Sequence, residues 1–390
     1  MRSALKLAEK GIGSVEPNPA VGCVIVKSGQ VIGKGYHKKF GGPHAEINAI
    51  EDCRTLGVRP EGGTLYVTLE PCCHQGKTGP CTQAIIAAGI ARVVAAIGDP
   101  SAHACGQGLE QLRQAGIQVE VGLCAEEATR LNAPFLKHVT TGKCWVVLKW
   151  AQSIDGKLAY VDSSGQKRWI TNELSRGDAH RLRRRVGAIL VGINTVLADD
   201  PLLTPHPSKG KKPLRIVLDN SLRIPLGCRL LRTLKTSPVL IYAGQAAADA
   251  NSQHVERIRK KGAEVFTYAG ATGTSGLPGL LDELGKRGVQ QVLVEGGPRV
   301  LASFLREGLA DEVCVYVAPK ILGAGGAAYV GDPLTSLLEP VELRHVDIKA
   351  FGDDVRLRGL PVRAAERRSP PAEAADQPSP PAESAPRTEP

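Results

Sequence analysis

His44, Cys72 and Cys81 supply one imidazole and two thiols, a donor set suited to a tetrahedral zinc ion. An ion held by three protein ligands keeps a fourth position for water. The metal lowers the pKa of that water from near 16 to about 7, so a nucleophile exists at neutral pH. Glu46 stands two residues beyond His44, within reach to move protons for such a water. Cys73 could compete as a ligand. Cys72 is preferred because it directly follows Glu70-Pro71, at the end of the apolar strand Thr64-Leu65-Tyr66-Val67-Thr68-Leu69.

The pattern His-x-Glu followed by Pro-Cys and a second Cys is that of zinc enzymes that deaminate nucleobases. One half departs from it. Cys72 and Cys81 are separated by Cys73-His74-Gln75-Gly76-Lys77-Thr78-Gly79-Pro80 instead of two residues. The insert is rich in Gly and polar groups and reads as a loop. Cys81 opens a helix running to Ala88, and His44 opens another running to Cys53. A helix N-terminus favours a thiolate, so two such ends could converge on one ion. A closed structural zinc site would need a fourth protein ligand, which His74 could supply.

The elements that must position these groups follow from periodicity. An amphipathic helix over Met1–Glu9 carries charges throughout, unlike a signal peptide. Strands Val21–Val26 and Val31–Tyr36 flank Lys27-Ser28-Gly29-Gln30 and form a hairpin. Strand Arg92–Ile97, helix Gly108–Ala115, strand Ile117–Val121 and one polar helix, Ala125–His138, complete a three-layer α/β sandwich. Thr140-Thr141-Gly142-Lys143 reads as a linker. The expected units are residues 1–142, 143–362 and a tail, 363–390, of Pro, Ala, Glu and Ser. That tail has too little apolar surface to offset its ordering entropy.

The second unit begins with Trp145–Trp150 and continues through helix Glu173–Val186. Strands Ala188–Gly192, Leu214–Leu218, Val239–Tyr242, Glu264–Tyr268 and Gln291–Glu295 follow. A helix onward to Arg306 and strands Glu312–Ala318 and Val355–Leu360 end it. Glu295-Gly296-Gly297-Pro298 joins a strand to a helix start, where backbone N–H groups can meet an anion; many such turns have no ligand. The run Arg181–Arg185 offers either a phosphate site or a solvated helix face. Ser153-Ile154-Asp155-Gly156 could be only a turn.

The 390 residues carry ten cysteines, scattered and mostly in apolar runs such as those of Cys23, Cys144 and Cys314. That usage suits a reducing, cytoplasmic compartment. No apolar run approaches the ~20 residues of a membrane span. The net charge of +10 could attract phosphorylated small molecules. No aromatic stacking face or arginine-rich arm points to nucleic acid.

Taken together, the motifs resemble the bifunctional riboflavin-biosynthesis pyrimidine deaminase/uracil reductase family, up to about Pro361. They are Pro17-Asn18-Pro19-Ala20-Val21-Gly22, Gly42-Pro43-His44-Ala45-Glu46, Thr68-Leu69-Glu70-Pro71-Cys72, Gly76-Lys77-Thr78 and Pro80-Cys81. In the second half they are Ser153–Gly156, Trp169-Ile170-Thr171, Thr195–Pro201 and Val294–Pro298. The long Cys72–Cys81 spacing is that family's own.

The resemblance implies a cytidine-deaminase-like first domain with zinc on His44, Cys72 and Cys81 and Glu46 as catalytic proton carrier. Asn18, His37, His74 and Lys77 would line its substrate pocket. A dihydrofolate-reductase-like second domain would bind NADPH through Ala151, Trp169, Thr195, Asp199, Asn220 and Gly297-Pro298-Arg299-Val300-Leu301-Ala302-Ser303. Lys149, Arg183, Leu203 and Glu295 would face the sugar phosphate. Partners would be small phosphorylated pyrimidines, with no nucleic acid or membrane and with room for a homo-oligomer. Two alternatives are a tRNA or DNA base deaminase with an accessory second domain, and a protein with one domain kept as a binding scaffold.

The chain departs from the family at His206, where an arginine usually grips substrate phosphate. The stretch Tyr160–Arg168 is also slightly longer and carries Lys167, a candidate replacement for the lost charge at the substrate. If Lys167 acts so, Lys167→Ala raises the reductase KM for the sugar phosphate in steady-state assays; an unchanged KM removes it from the site.

Overall fold

The computed structural model describes all residues except 76–78, 102, 103, 105, 162–165, 207–211, 270–275, 328–339 and 363–390, and the side chains of Lys167 and Ala327. Lys77 and the expected tail lie outside the described residues. The first half is built on a five-stranded sheet: β1 (Gly22–Lys27), β2 (Gln30–Tyr36), β3 (Thr64–Val67), β4 (Arg92–Ala95) and β5 (Gln118–Val121). Their order is β2-β1-β3-β4-β5. The β1–β2 hairpin is antiparallel, β3 runs antiparallel to β1, and β4 and β5 continue parallel to β3.

Helices cover both faces. α1 (Arg2–Ala8) lies on one side, α2 (Ala45–Thr55), α3 (Cys81–Ala87) and α4 (Gln107–Gln114) on the other, and α5 (Ala125–Leu131) returns to the first. The split follows strand alternation. Cys23, Ile25, Leu65, Val67, Val93 and Ala95 pack against Ala45, Ala49, Cys53, Ile85, Leu109 and Leu112. Leu5, Ala96 and Ala128 form a smaller cluster opposite.

The single helix expected over Ala125–His138 is two. α5 stops at Leu131 and α6 runs Ala133–Thr141. Pro134 cannot donate an N–H to the preceding turn and disfavours helix before it. Asn132 uses the break: its side chain accepts from Ala20 N at 2.9 Å and donates to Ala20 O at 3.0 Å. The linker is also shorter than expected, because Thr140 and Thr141 belong to α6. Gly142 ends that helix with a left-handed φ of 70°, which glycine adopts without a Cβ clash.

The second sheet has nine strands. In chain order the elements are β6 (Trp145–Ser153), β7 (Ala159–Val161), β8 (Lys167–Arg168), α7 (Glu173–Arg185), β9 (Ala188–Gly192), α8 (Ile193–Asp199), β10 (Leu214–Leu218), α9 (Arg229–Arg232), β11 (Val239–Gly244), α10 (Gln245–Ala250) and α11 (Ser252–Lys260). Then come β12 (Glu264–Tyr268), α12 (Leu277–Lys286), β13 (Gln291–Val294), α13 (Pro298–Arg306), β14 (Glu312–Ala318), β15 (Gly326–Ala327), β16 (Leu343–Phe351) and β17 (Asp354–Pro361). The order is β12-β11-β10-β9-β13-β6-β14-β17-β16; β15, β7 and β8 form a small separate sheet. The seven strands from β12 to β14 are parallel, and β17 and β16 add an antiparallel edge.

Parallel strands must be apolar on both faces. Val147, Ile189, Val191, Val217, Ile241 and Leu293 fill one core; Val146, Leu148, Leu190, Ile216, Leu240 and Val292 fill the other, beneath α12 and α13. β13 inserts between β6 and β9, so the strand order reverses there. A crevice opens at the carboxyl ends of strands at such a switch point. α7 is started by Asn172, whose side chain accepts from Ser175 N at 3.0 Å, a capping bond worth about 1 kcal/mol.

One close approach controls the first site. A Cβ on Gly108, at the start of α4, would lie 2.1 Å from Pro71 O. Gly108→Ala therefore pushes α4 from the segment carrying Cys72. Overpacking of this kind costs about 1–3 kcal/mol; thermal unfolding should show a lower Tm, and metal analysis a lower zinc content, than wild type.

Candidate active sites

His44 is the residue before α2, Cys81 opens α3, and Cys72 lies on the segment after β3. The His44 Nδ1 is 3.4 Å from the Cys72 Sγ and 3.3 Å from the Cys81 Sγ. All three donor atoms lie within 4.8 Å of one another. Among the described residues, neither Cys73 nor His74 joins that group, which resolves the choice of ligand in favour of Cys72. The Cys73 Sγ instead meets the Gln107 Oε1 at 4.0 Å, and His74 is exposed.

The donor set fits a zinc ion. The Cys81 thiol hydrogen-bonds to Cys72, which with His44 holds the Cys72 thiol down to about 4 despite its burial. Cys81 carries the shared proton and is pushed well up by Cys72 and by burial. The Cys81 backbone N–H also donates to the Cys72 sulfur at 3.4 Å. A cation at this point would replace that proton and leave two thiolates.

Glu46, one position into α2, is 3% exposed. Burial, followed by the Cys72 charge, raises its carboxyl to about 7. A carboxyl balanced near neutrality is suited to taking and returning a proton. His37 packs edge-on to His44, with ring centroids 5.2 Å apart. Its Nδ1 is 3.0 Å from Pro43 O, which can only accept, so Nδ1 carries the proton. Its Nε2 then accepts from the Asn18 Nδ2 at 3.2 Å. Burial lowers the His37 pKa and keeps the ring neutral. Asn18 and His37 thus stand together beside His44; His74 is exposed, on the segment between Cys72 and Cys81.

Glu70 was quoted above only as part of a motif, and its role escaped the sequence. Buried at 4% exposure, it accepts from Asp99 N at 3.0 Å, Gly106 N at 3.1 Å and Gly108 N at 2.9 Å. A carboxylate at a helix N-terminus is well matched to unpaired N–H groups. This cage anchors the segment from which Cys72 projects. The signal was an acidic residue just before a ligand, at the end of a buried strand.

The second site lies at the carboxyl ends of β6, β13 and β9. Glu295 follows β13 and is almost fully buried. The Arg183 Nε and Nη2 donate to its two oxygens at 2.9 and 2.5 Å. Burial alone would raise the Glu295 carboxyl, but the Arg183 and Lys149 charges outweigh it and hold the carboxyl below its usual range. Arg183 also donates to Thr204 O at 3.2 Å. Its guanidinium is therefore committed to protein acceptors; Lys149, whose charge also acts on Glu295, lies nearby with its Nζ 5.7 Å from the Tyr316 ring centroid.

The other expected residues divide. Leu203 packs its side chain into the core and can meet a ligand only through its backbone. His206 is exposed, 6.0 Å from His180 between ring centroids, and its carbonyl accepts from the Arg184 Nη1 at 2.9 Å. Lys167 lies in β8, but its side chain is outside the described residues. The arginine run divides: Arg181 is exposed and bonds Asp178 at 3.0 Å, while Arg183 and Arg184 grip the loop beyond α8.

Gly297 precedes α13, with Pro298 at its first position, where a missing N–H costs nothing. A Cβ on Gly297 would come 3.3 Å from the Thr195 Oγ1, and one on Gly192 would come 2.8 Å from Val300. The starts of α13 and α8 thus lie against each other, with Thr195 and Val300 at the contact, and Asp199 ends α8. Ala151 is on β6, Asn220 follows β10, and Trp169 is 73% exposed, stacked by Arg176 at 5.2 Å. Arg299 is exposed, and the Ser303 hydroxyl donates to Arg299 O at 3.0 Å. Leu301 packs into the core and Ala302 is buried, so neither side chain is open to solvent. Ser153-Ile154-Asp155-Gly156 is more than a turn: Asp155 accepts from the Ser153 hydroxyl, Leu322 N and Gly323 N, which hold its carboxyl down to about 2.

Residues 1–97 match the cytidine and deoxycytidylate deaminase zinc-binding region, and residues 144–357 match the RibD C-terminal domain. The riboflavin biosynthesis protein RibD of Aquifex aeolicus is 43% identical over 358 residues, covering 91% of this chain and 96% of that one. The Escherichia coli protein of the same name is 39% identical over 371 residues, 92% and 97% of the two chains. Among solved structures, Acinetobacter baumannii RibD superposes with a TM-score of 0.77 at 35% identity, over 93% of this chain and 98% of that one. A Thermotoga maritima diaminohydroxyphosphoribosylaminopyrimidine deaminase/5-amino-6-(5-phosphoribosylamino)uracil reductase gives the same TM-score and identity, over 93% and 97%. Similarity that spans both sheets excludes an accessory second half. With a zinc donor set in one half and a reductase fold of the dihydrofolate-reductase type in the other, the chain belongs to the RibD family of bifunctional deaminase–reductases of riboflavin biosynthesis.

Proposed function

We propose that the first half removes the 2-amino group of 2,5-diamino-6-(5-phosphoribosylamino)pyrimidin-4(3H)-one by hydrolysis. The second half then reduces the ribosyl group of 5-amino-6-(5-phosphoribosylamino)uracil to ribityl with NADPH. The Thermotoga maritima relative carries both activities in its name. The observation that carries the reading is the close trio His44, Cys72 and Cys81 with a buried Glu46 beside it. Residues 1–142 and 143–362 are the proposed deaminase and reductase units, in a cytoplasmic protein.

In the deaminase, His44, Cys72 and Cys81 would hold zinc, which supplies Lewis acidity that brings a water's pKa toward neutrality. Glu46 takes one proton of the attacking water and passes it to the ring nitrogen, then carries the remaining hydroxyl proton to the departing amine as the C–N bond breaks. Its position on the first turn of α2 fixes it beside His44, and burial keeps its two protonation states close in energy. Asn18 and the neutral His37 form a polar wall for the pyrimidine, and Lys77 is assigned to the phosphate by resemblance alone.

In the reductase, NADPH would lie along the start of α13 and beside Thr195 and Asp199, and it supplies hydride when bound. Lys149 meets the sugar phosphate as the available cation. Arg183 orients Glu295 and the Thr204 carbonyl, so both keep fixed positions while substrate binds. Neither group contributes free charge, which suits a site that must hold a flexible sugar chain without trapping it.

Glu46→Gln keeps the shape and removes the titrating group. Zinc content and NADPH oxidation with the deaminated precursor should match wild type, while ammonia release falls by about 10³-fold or more, within the range for loss of a general acid–base group. Retained ammonia release would refute the assignment. Cys81→Ser should lower bound zinc from near one equivalent, measured by metal analysis, and abolish deamination with reduction intact. Zinc held unchanged by that variant would break the trio.

A further inference from the structure

Arg215 is the largest fully buried side chain in the described structure, with no exposed surface. It sits in β10 between apolar neighbours. Among the described residues no carboxylate pairs with it, and its Nε has no partner. Burying a cation without a counter-charge is costly. Its remaining donors are all used on neutral oxygens. Nη1 donates to Leu202 O at 3.1 Å and the Thr233 Oγ1 at 2.8 Å. Nη2 donates to Leu230 O at 3.3 Å, Thr233 O at 3.0 Å and Ser237 O at 2.5 Å.

Those acceptors fall into two groups. Four come from the turn around α9, and one comes from the loop that follows α8. That loop is gripped repeatedly by arginine. Arg215 holds the carbonyl of Leu202, Arg183 that of Thr204 and Arg184 that of His206. Every second carbonyl is thus drawn to a guanidinium. Leu203 stands between the first two with φ of 51°, a left-handed conformation that a leucine adopts only under constraint. Among the described residues, the N–H groups of Leu203 and Thr204 donate to no protein acceptor. Successive N–H groups freed beside a left-handed residue form a concavity that suits an anion.

We propose that Arg215 is a positioning residue for the reductase reaction, fixing the Leu202 carbonyl from behind so that the Leu203–Thr204 backbone turns its N–H groups toward the anionic end of the sugar-phosphate substrate. The inference rests on the reading that this loop faces the substrate. Arg183 fixes the front of the same loop to Glu295, and Arg215 fixes its back to the sheet. A methionine at position 215 would fill the volume but release the carbonyl.

The test uses the full-length enzyme with the deaminated sugar-phosphate substrate and NADPH. Arg215→Met should raise the KM for the sugar phosphate about tenfold, the scale of one lost charge-assisted hydrogen bond. The turnover number should change less than about threefold, as expected for lost binding that is equal in ground and transition states. The Kd for NADPH, read by fluorescence titration, should remain at the wild-type value. Arg215→Lys should fall between the two, because an ammonium reaches fewer of the five oxygens. It carries the test if the methionine variant does not fold. A wild-type KM in Arg215→Met, or in Arg215→Lys where that variant stands in, overturns the inference. So does an equal weakening of NADPH and sugar-phosphate binding, which marks a general structural tie. His206→Ala distinguishes the underlying reading: if it too leaves KM unchanged, the loop does not meet substrate. If His206→Ala raises KM while Arg215→Met does not, only the role of Arg215 fails.

Discussion

Two sulfur atoms and one imidazole nitrogen from three segments crowd together within 4.8 Å, and the first half of the chain is organised around that crowding. Such donors repel or share protons until a cation joins them, so their approach must be imposed by the scaffold. α2 and α3 pack on the same face of the sheet, which brings His44 and Cys81 to one end. Cys72 comes from the opposite direction, off the end of β3, and would swing freely without Glu70. Three backbone N–H groups converge on that carboxylate, and the strand end becomes as rigid as the helices. Glu46 needs no separate support, because the helix that places His44 places it as well.

The second half solves a different problem. Its site must receive a phosphorylated sugar and a dinucleotide, both anionic, without presenting an excess of free cations. The arginines nearest the crevice are therefore spent on carboxylates and carbonyls. Arg183 neutralises Glu295, Arg184 takes His206 O, and Arg356 and Tyr316 share Asp178 at 2.8 and 2.7 Å. Under the proposed function, what would reach the ligand is mostly backbone: the start of α13, the turn into α8 and the loop at Leu203. Side-chain charge would then set backbone shape, and backbone dipoles would do the recognition.

Much of this was legible in the residues. The ligand trio, Glu46 and the helices that carry them followed from residue type and spacing, and so did the parallel strands, whose apolar runs are unbroken. What stayed hidden has physical causes. Pro134 divides α5 from α6, yet the polar pattern on either side is continuous. β16 is an edge strand exposed along nearly its whole length, so Arg344–Ala350 shows no burial rhythm to read. Helix α11 rests on only two buried apolar side chains, Val255 and Ile258. The resemblance places Arg183 and Glu295 together at the sugar phosphate; that the two pair with each other shows only in the fold. Arg215 drew no attention, since one charge in a valine- and leucine-rich strand has no periodic signature.

The last strand, β17, does not lie at the border of its sheet. It is threaded between β14 and β16, and it ends at Pro361, close to the finish of the chain. The five-stranded sheet, by contrast, has all its strands by Val121. During synthesis the zinc-binding half can therefore close before any strand of the nine-stranded sheet is made, whereas the hydride-using half must wait for β17. Domains that emerge first fold first, so a ribosome stalled late in this message would carry a finished hydrolase tethered to an unclosed reductase.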